Sequence, residues 1–221
     1  MYRIINLGSC RQDSLDKKFQ TMHVNKLISY PHSTKEVLEV INFCKYGNLS
    51  PEETLYIFRT AMLNKTPILY RDNLRVNFDM GDIYVIEITT NKLYKYNDKY
   101  LHHIAIDTAL DENVRNNIKI LFQTKNEIEE DIIKIKELIR KSIVIITHLV
   151  TSCIGRRYEL SEWLREICHK YNITYINPVE ELEKNKIGFK ESFEKEDKLA
   201  HYTPYGHQQI SNIYYNIIKT L

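Results

Sequence analysis

Residues 126–149 constrain the fold more than any other part of the chain. "NEIEEDIIKIKELIRKS" repeats its isoleucines and leucine at helical intervals, with charges between them. It runs directly into "IVIITHL", the most β-branched run in the sequence. A run apolar at successive positions has no polar face to offer water, so it belongs inside a sheet covered on both sides. A helix feeding such a strand is half of a β-α-β unit, and the same alternation recurs along the chain.

A first strand is expected over Tyr2–Asn6, ended by Gly8, and a second over Lys26–Tyr30 ("KLISY"). "PHSTKEVLEVINFCKYG" then predicts a helix, with Ser33 and Glu36 at capping-box spacing and Gly47 as its stop. "SPEE" starts another, with Ser50 as N-cap, Pro51 at the first helical position, and Leu55, Phe58 and Met62 as the inner stripe. Asp82–Thr89 reads as a strand apolar on both faces. After residues 126–149, "YELSEWLREICHKYN" reads as a helix holding Trp163 in its apolar face, "ITYIN" as a short strand, and Tyr205–Leu221 as a closing helix. Five strands alternating with helices imply an α/β fold: a three-layer α/β/α sandwich around a mainly parallel five-stranded sheet. A length of 221 residues suits one domain spanning 1–221.

Composition narrows the functions. Lys and Arg total 31 against 29 Asp and Glu, so no strong field points to nucleic acid or an anionic membrane. No apolar run reaches the roughly 18 residues of a membrane span, and no secretory leader pattern opens the sequence, which reads as a soluble cytoplasmic protein. Cys10, Cys44, Cys153 and Cys168 are scattered without a CxxC pair, so they are expected as reduced thiols and not as a zinc knuckle or disulfide frame. His102 and His103, adjacent on an extended segment, are expected to face opposite ways and to be solvent-exposed, so no metal site is expected.

Ligands of parallel α/β sheets bind beyond the carboxyl ends of the strands. That rule collects Gly8–Arg11, Pro31–Ser33, Thr89–Asn91, Thr147–Leu149 and Asn177 on one rim. There Cys10 follows the first strand in a tight turn, a place that favours a thiolate and a developing oxyanion. His201 is the matching base and Asp197, four residues upstream, the group that orients its ring, giving a cysteine-histidine-aspartate site. Arg11, His32 and His148 lie on the same rim as substrate-binding candidates. The competing reading of Cys10 is a small buried apolar residue.

Three stretches resemble the SGNH, or GDSL-like, hydrolase and acyltransferase superfamily: "Gly8-Ser9-Cys10" after the first strand, "Thr89-Thr90-Asn91-Lys92" after the third, and "His201-Tyr202-Thr203-Pro204-Tyr205-Gly206" before the last helix. The first falls on the family's nucleophile turn, with Cys10 in place of serine, as in GSC-type branches; Ser9 is the alternative nucleophile. In the second only Asn91 matches the family's Gly-x-Asn-Asp turn. The third reproduces the histidine block closely, but the acid stands one residue further upstream than usual, with Glu196 as the alternative to Asp197. The family's oxyanion glycine is absent from "SYPHSTKE", and a backbone amide near Ser33 would replace it.

The resemblance implies acyl transfer by Cys10, His201 and Asp197, with Asn91 and the amides around Cys10 and Arg11 receiving the oxyanion, and Ser9, Arg11, His32 and Ser33 around the substrate. Water as acceptor makes an esterase of an acylated carbohydrate or small metabolite, which needs no cofactor. A sugar hydroxyl or amine makes an acyltransferase of polysaccharide or glycan assembly, with an activated donor such as acetyl-CoA. The third reading is a non-catalytic SGNH-like binding domain. No nucleic-acid partner is implied, and the oligomeric state is left open.

Overall fold

The computed structural model describes residues 2–108, 111–149, 153–188, 192 and 201–221. In chain order the elements are β1 (Arg3–Leu7), a 3-10 helix (Cys10–Lys17), β2 (Gln20–His23), α1 (Val24–Leu27), α2 (Thr34–Tyr46), α3 (Pro51–Ile57), α4 (Arg59–Asn64), α5 (Asp72–Asp79) and β3 (Ile83–Ile88). They continue with β4 (Lys92–Tyr96), β5 (Lys99–Leu101), α6 (Ala105–Thr108), α7 (Glu112–Asn116), β6 (Lys119–Phe122), α8 (Lys125–Ile139), β7 (Ser142–Thr147), α9 (Arg156–Lys170), β8 (Thr174–Ile176), α10 (Pro178–Lys184) and α11 (Pro204–Ile218).

Five strands form a parallel sheet in the order β2-β1-β3-β7-β8, with registers such as Ile5↔Tyr84 and Val85↔Val144. Strand periodicity divides their side chains between two cores. Ile5, Leu7, Tyr84, Ile86, Ile143 and Ile145 pack on one face against α2, α8 and α9. Ile4, Ile83, Val85, Val144 and Ile146 pack on the other against the 3-10 helix, α10 and α11. The sheet is therefore covered on both sides, as its continuous apolar runs require.

Two expectations are corrected. Lys26–Tyr30 is not a strand: Lys26 and Leu27 end the short α1, and the strand beside β1 is Gln20–His23, paired with Arg3–Asn6. Ile28, the one fully buried apolar residue of that segment, reaches the core from the turn of α1, and Leu27 points to solvent. The Ser50 helix, with its capping box and Pro51, breaks at Phe58 (φ −99°, ψ 130°) and resumes as α4; Phe58 and Met62 still face inward, and Leu55 is half-buried.

Between β3 and α8 the chain inserts a three-stranded antiparallel sheet, β5-β4-β6. The neck of this insertion is closed by Asn91 and Gln123: the Gln123 N–H donates to the Asn91 carbonyl at 2.8 Å, and the Asn91 amide donates to the Gln123 carbonyl at 3.0 Å. Gln123 and Thr34 in turn donate to the buried Asp131 carboxylate at 2.8 and 2.7 Å, which joins the neck to α2 and α8. Among the described residues no helix is long and apolar enough to cross a membrane.

Candidate active site

Gly8 follows β1 because a side chain will not fit there: a Cβ at this position would lie 2.8 Å from the Glu87 Cβ on the neighbouring strand. Close approach lets Glu87, itself buried, organise the turn. One of its carboxylate oxygens accepts the Ser9 N–H at 2.8 Å and the other accepts Arg11 Nε at 2.8 Å. Burial alone would raise the Glu87 carboxyl, but the Arg11 charge and these hydrogen bonds outweigh it and hold it down at about 2. Ser9 caps the 3-10 helix, its hydroxyl accepting the Arg11 N–H at 3.3 Å, and Cys10 is the first helical residue.

The other half of the site comes from the block before α11. Thr203 is the N-cap, its hydroxyl accepting the Gly206 N–H at 3.0 Å, and Pro204 occupies the first turn. A Cβ on Gly206 would lie 2.0 Å from the Ser192 carbonyl oxygen, which also accepts the Thr203 N–H at 3.0 Å. Tyr202 is buried in the second core, and His201, just before it, is exposed at the rim.

These two segments meet. A cavity of about 310 Å³ is lined by Ser9, Cys10, Arg11, His32, His103 and His201. A second, of about 460 Å³, shares Arg11, His32 and His201 with it and adds Lys92, His148 and Arg157. Thiol, imidazole and guanidinium thus face common space beyond the carboxyl end of β1. Burial pushes the Cys10 thiol up, Arg11 opposes this, and Asp13 and Glu87 reinforce it, so the resting group is the thiol and not the thiolate expected from the turn. Arg157 is lowered by burial and by the like charge of Arg11, which marks the second cavity as crowded with cations. His148 donates from Nδ1 to the Leu149 carbonyl at 2.9 Å; burial and the two arginines lower it to about 4.

Other expected site residues are placed differently. Asn91 lines neither cavity, and its amide donates to the Gln123 carbonyl at the neck of the insertion, so it serves the fold here and is not placed as an oxyanion donor. Ser33 is fully buried; its hydroxyl caps α2 by accepting the Glu36 N–H at 3.3 Å and donates to the Glu36 carboxyl at 3.1 Å. Of the backbone amides around Cys10, that of Ser9 donates to Glu87 at 2.8 Å and that of Arg11 to the Ser9 hydroxyl at 3.3 Å. Asp197 and Glu196 lie outside the described residues. His32 does line both cavities, with Nδ1 3.0 Å from Thr89 Oγ1.

His102 departs furthest from expectation; His103 is exposed as expected, but the two rings do not face opposite ways. His102 is 2 % exposed, and its ring lies over that of His103 with centroids 4.2 Å apart. Alternation does not hold because β5 ends at Leu101 and the chain turns, with the Ala105 N–H donating to the His102 carbonyl at 3.0 Å. Glu87 and Arg59 were also missed. Glu87 carries a signal, as the one charged residue in the apolar run "IYVIEI". Arg59, stacked 4.6 Å from the Tyr30 ring in the cavity wall, carries none.

Sheet and site together define an α/β protein with a cysteine-histidine cavity at the carboxyl rim of a parallel five-stranded sheet. The model of the TviD N-terminal domain matches residues 105–216, just over half of the 221-residue chain, and the chain belongs to that family. The matched region contains His201 but begins after Cys10. Among solved structures, the chain is similar to a member of the lipolytic protein G-D-S-L family from Veillonella parvula DSM 2008, with 13% identity, 99% of each chain covered and a TM-score of 0.39. No curated protein matches.

Proposed function

We propose that this protein transfers acyl groups through Cys10. The observation that carries the reading is the shared cavity: a thiol at the start of the first helical turn and the His201 imidazole, from opposite ends of the sequence, line one space. Because burial holds the Cys10 thiol protonated, a base is needed, and His201 is the group that takes its proton. The sulfur then bonds to the acyl carbon of an ester, the bond from that carbon to the alcohol oxygen breaks, and His201 returns the proton to the departing alcohol. Arg11, anchored on Glu87 and lining the cavity, stabilises the charge on the acyl oxygen. Asp197 is the acid assigned to orient His201.

In the esterase form of the reaction, water attacks the resulting thioester, and the substrate is an acylated carbohydrate or small metabolite. The cations around the second cavity, Arg11, Lys92 and Arg157, favour the alternative in which the donor carries phosphates, as acetyl-CoA does, and a sugar hydroxyl or amine is the acceptor. Turnover of nitrophenyl acetate, alone and with sugar acceptors, and of acetyl-CoA under the same conditions tests both. Cys10→Ala is expected to abolish the activity with the fold intact, whereas full activity in Cys10→Ala removes the proposal and leaves the binding-domain reading.

A further inference from the structure

We propose that His32, His102 and His103 form a binding site for one divalent transition-metal ion of the zinc class, in the wall of the Cys10 cavity. One ring nitrogen from each of the three lies within 4.8 Å of one from each of the others. The ring centroids are 5.0, 5.1 and 4.2 Å apart. Imidazoles bound tetrahedrally at about 2.0–2.1 Å from a zinc ion place their centroids roughly 5 Å apart, so two of the three spacings already suit a shared ion. The third widens by about 1 Å through His103, which stands on an exposed turn.

Two further observations point to a ligand. Among the described residues nothing hydrogen-bonds to the buried His102 Nε2, which costs about 1–3 kcal/mol unless something meets it. His32 makes its Nδ1 contact with Thr89 Oγ1 at 3.0 Å; donation there fixes the proton on Nδ1 and leaves the Nε2 lone pair for the cavity. His102 Nδ1 accepts the Ile104 N–H at 3.3 Å, so the neutral ring carries its proton on Nε2. Metal binding at Nε2 moves that proton to Nδ1 and gives up this long contact.

The donor set selects the ion. Three imidazoles without a carboxylate suit zinc, cobalt, nickel or copper and not magnesium or calcium. Arg59, beside His102 and His103, repels a bare dication, so the fourth position takes an anion from solvent or substrate. All three histidines line the same cavity as Cys10 and His201.

Calorimetric titration of the metal-stripped full chain with Zn2+, and visible spectra with Co2+, test the site independently of any turnover. The expected result is one equivalent bound, a tetrahedral Co2+ spectrum without a sulfur charge-transfer band, and affinity reduced at least about tenfold in His103→Ala and His32→Ala. Thr89→Val, which removes only the contact behind His32, should weaken binding about tenfold and keeps the test decisive if His32→Ala does not fold. Cys10→Ser and Cys153→Ser should bind as the parent does. Undiminished binding in folded His103→Ala, or loss of binding in either cysteine variant, overturns the assignment.

Discussion

Replacing Glu87 with Gln keeps the shape of the side chain and removes the charge on which the Cys10 turn is built. The carboxylate is 1 % exposed and holds both the Ser9 N–H and Arg11 Nε at 2.8 Å. Its fall from 4.5 to about 2 on folding, at about 1.4 kcal/mol for each tenfold change in acidity, gives about 3 kcal/mol of stability. Loss of one partner from a buried ion pair, which strands the Arg11 charge, costs about 3–5 kcal/mol, in agreement. Because the folded value is depressed, this stability is fully present above the unfolded value of 4.5 and disappears as pH falls toward 2. Urea denaturation of Glu87→Gln at neutral pH should therefore show a loss of about 3 kcal/mol, and the acid-linked loss should be correspondingly smaller in the variant. Adding Arg11→Met to Glu87→Gln should cost less than the two single changes summed, since neither leaves the other stranded. A cost below about 1 kcal/mol, with an acid profile that overlays the parent's, would refute the argument that Glu87 holds this turn.

Gly8→Ala should destabilise by about 1–3 kcal/mol in the same assay, since its Cβ would press within 2.8 Å of the Glu87 Cβ. Gly206→Ala should cost about 3 kcal/mol, seen as a lowered thermal midpoint, because the obstruction at 2.0 Å is backbone oxygen and cannot rotate away. In native protein, iodoacetamide should label exposed Cys153 and spare Cys44 and Cys168, both buried and shifted upward by that burial, Cys168 to about 12. In a Cys153→Ser background, Cys10 labelling followed by peptide mapping should accelerate as pH rises past 9 and should slow in His201→Ala at neutral pH.

The central sheet was readable because its strands are apolar on both faces, as at Ile143–Ile146, and its helices carry strong start signals at Ser33 and Ser50. The second strand was not. Gln20–His23 lies at the sheet edge with little apolar content, and the more hydrophobic Lys26–Tyr30 drew the assignment away from it. Residues 92–122 give weak patterns because β6 exposes Ile120, Leu121 and Phe122, so polarity does not report facing there. At the site, Cys10 and His201 could be paired from their positions at the ends of predicted elements. Asn91 was misread because a polar residue after a strand looks the same whether it serves a substrate or closes the neck of an insertion. The His102–His103 arrangement depends on where β5 ends, a boundary of one residue that periodicity does not resolve.

Trapping the acyl-enzyme tests the proposed chemistry most directly. After brief incubation with nitrophenyl acetate and acid quenching, intact mass and peptide mapping should show a single acetyl group on Cys10, absent in Cys10→Ala and slow to form in His201→Ala. Acetyl found on Ser9, or turnover undiminished in Cys10→Ala with no acetyl on the Cys10 peptide, would contradict the account.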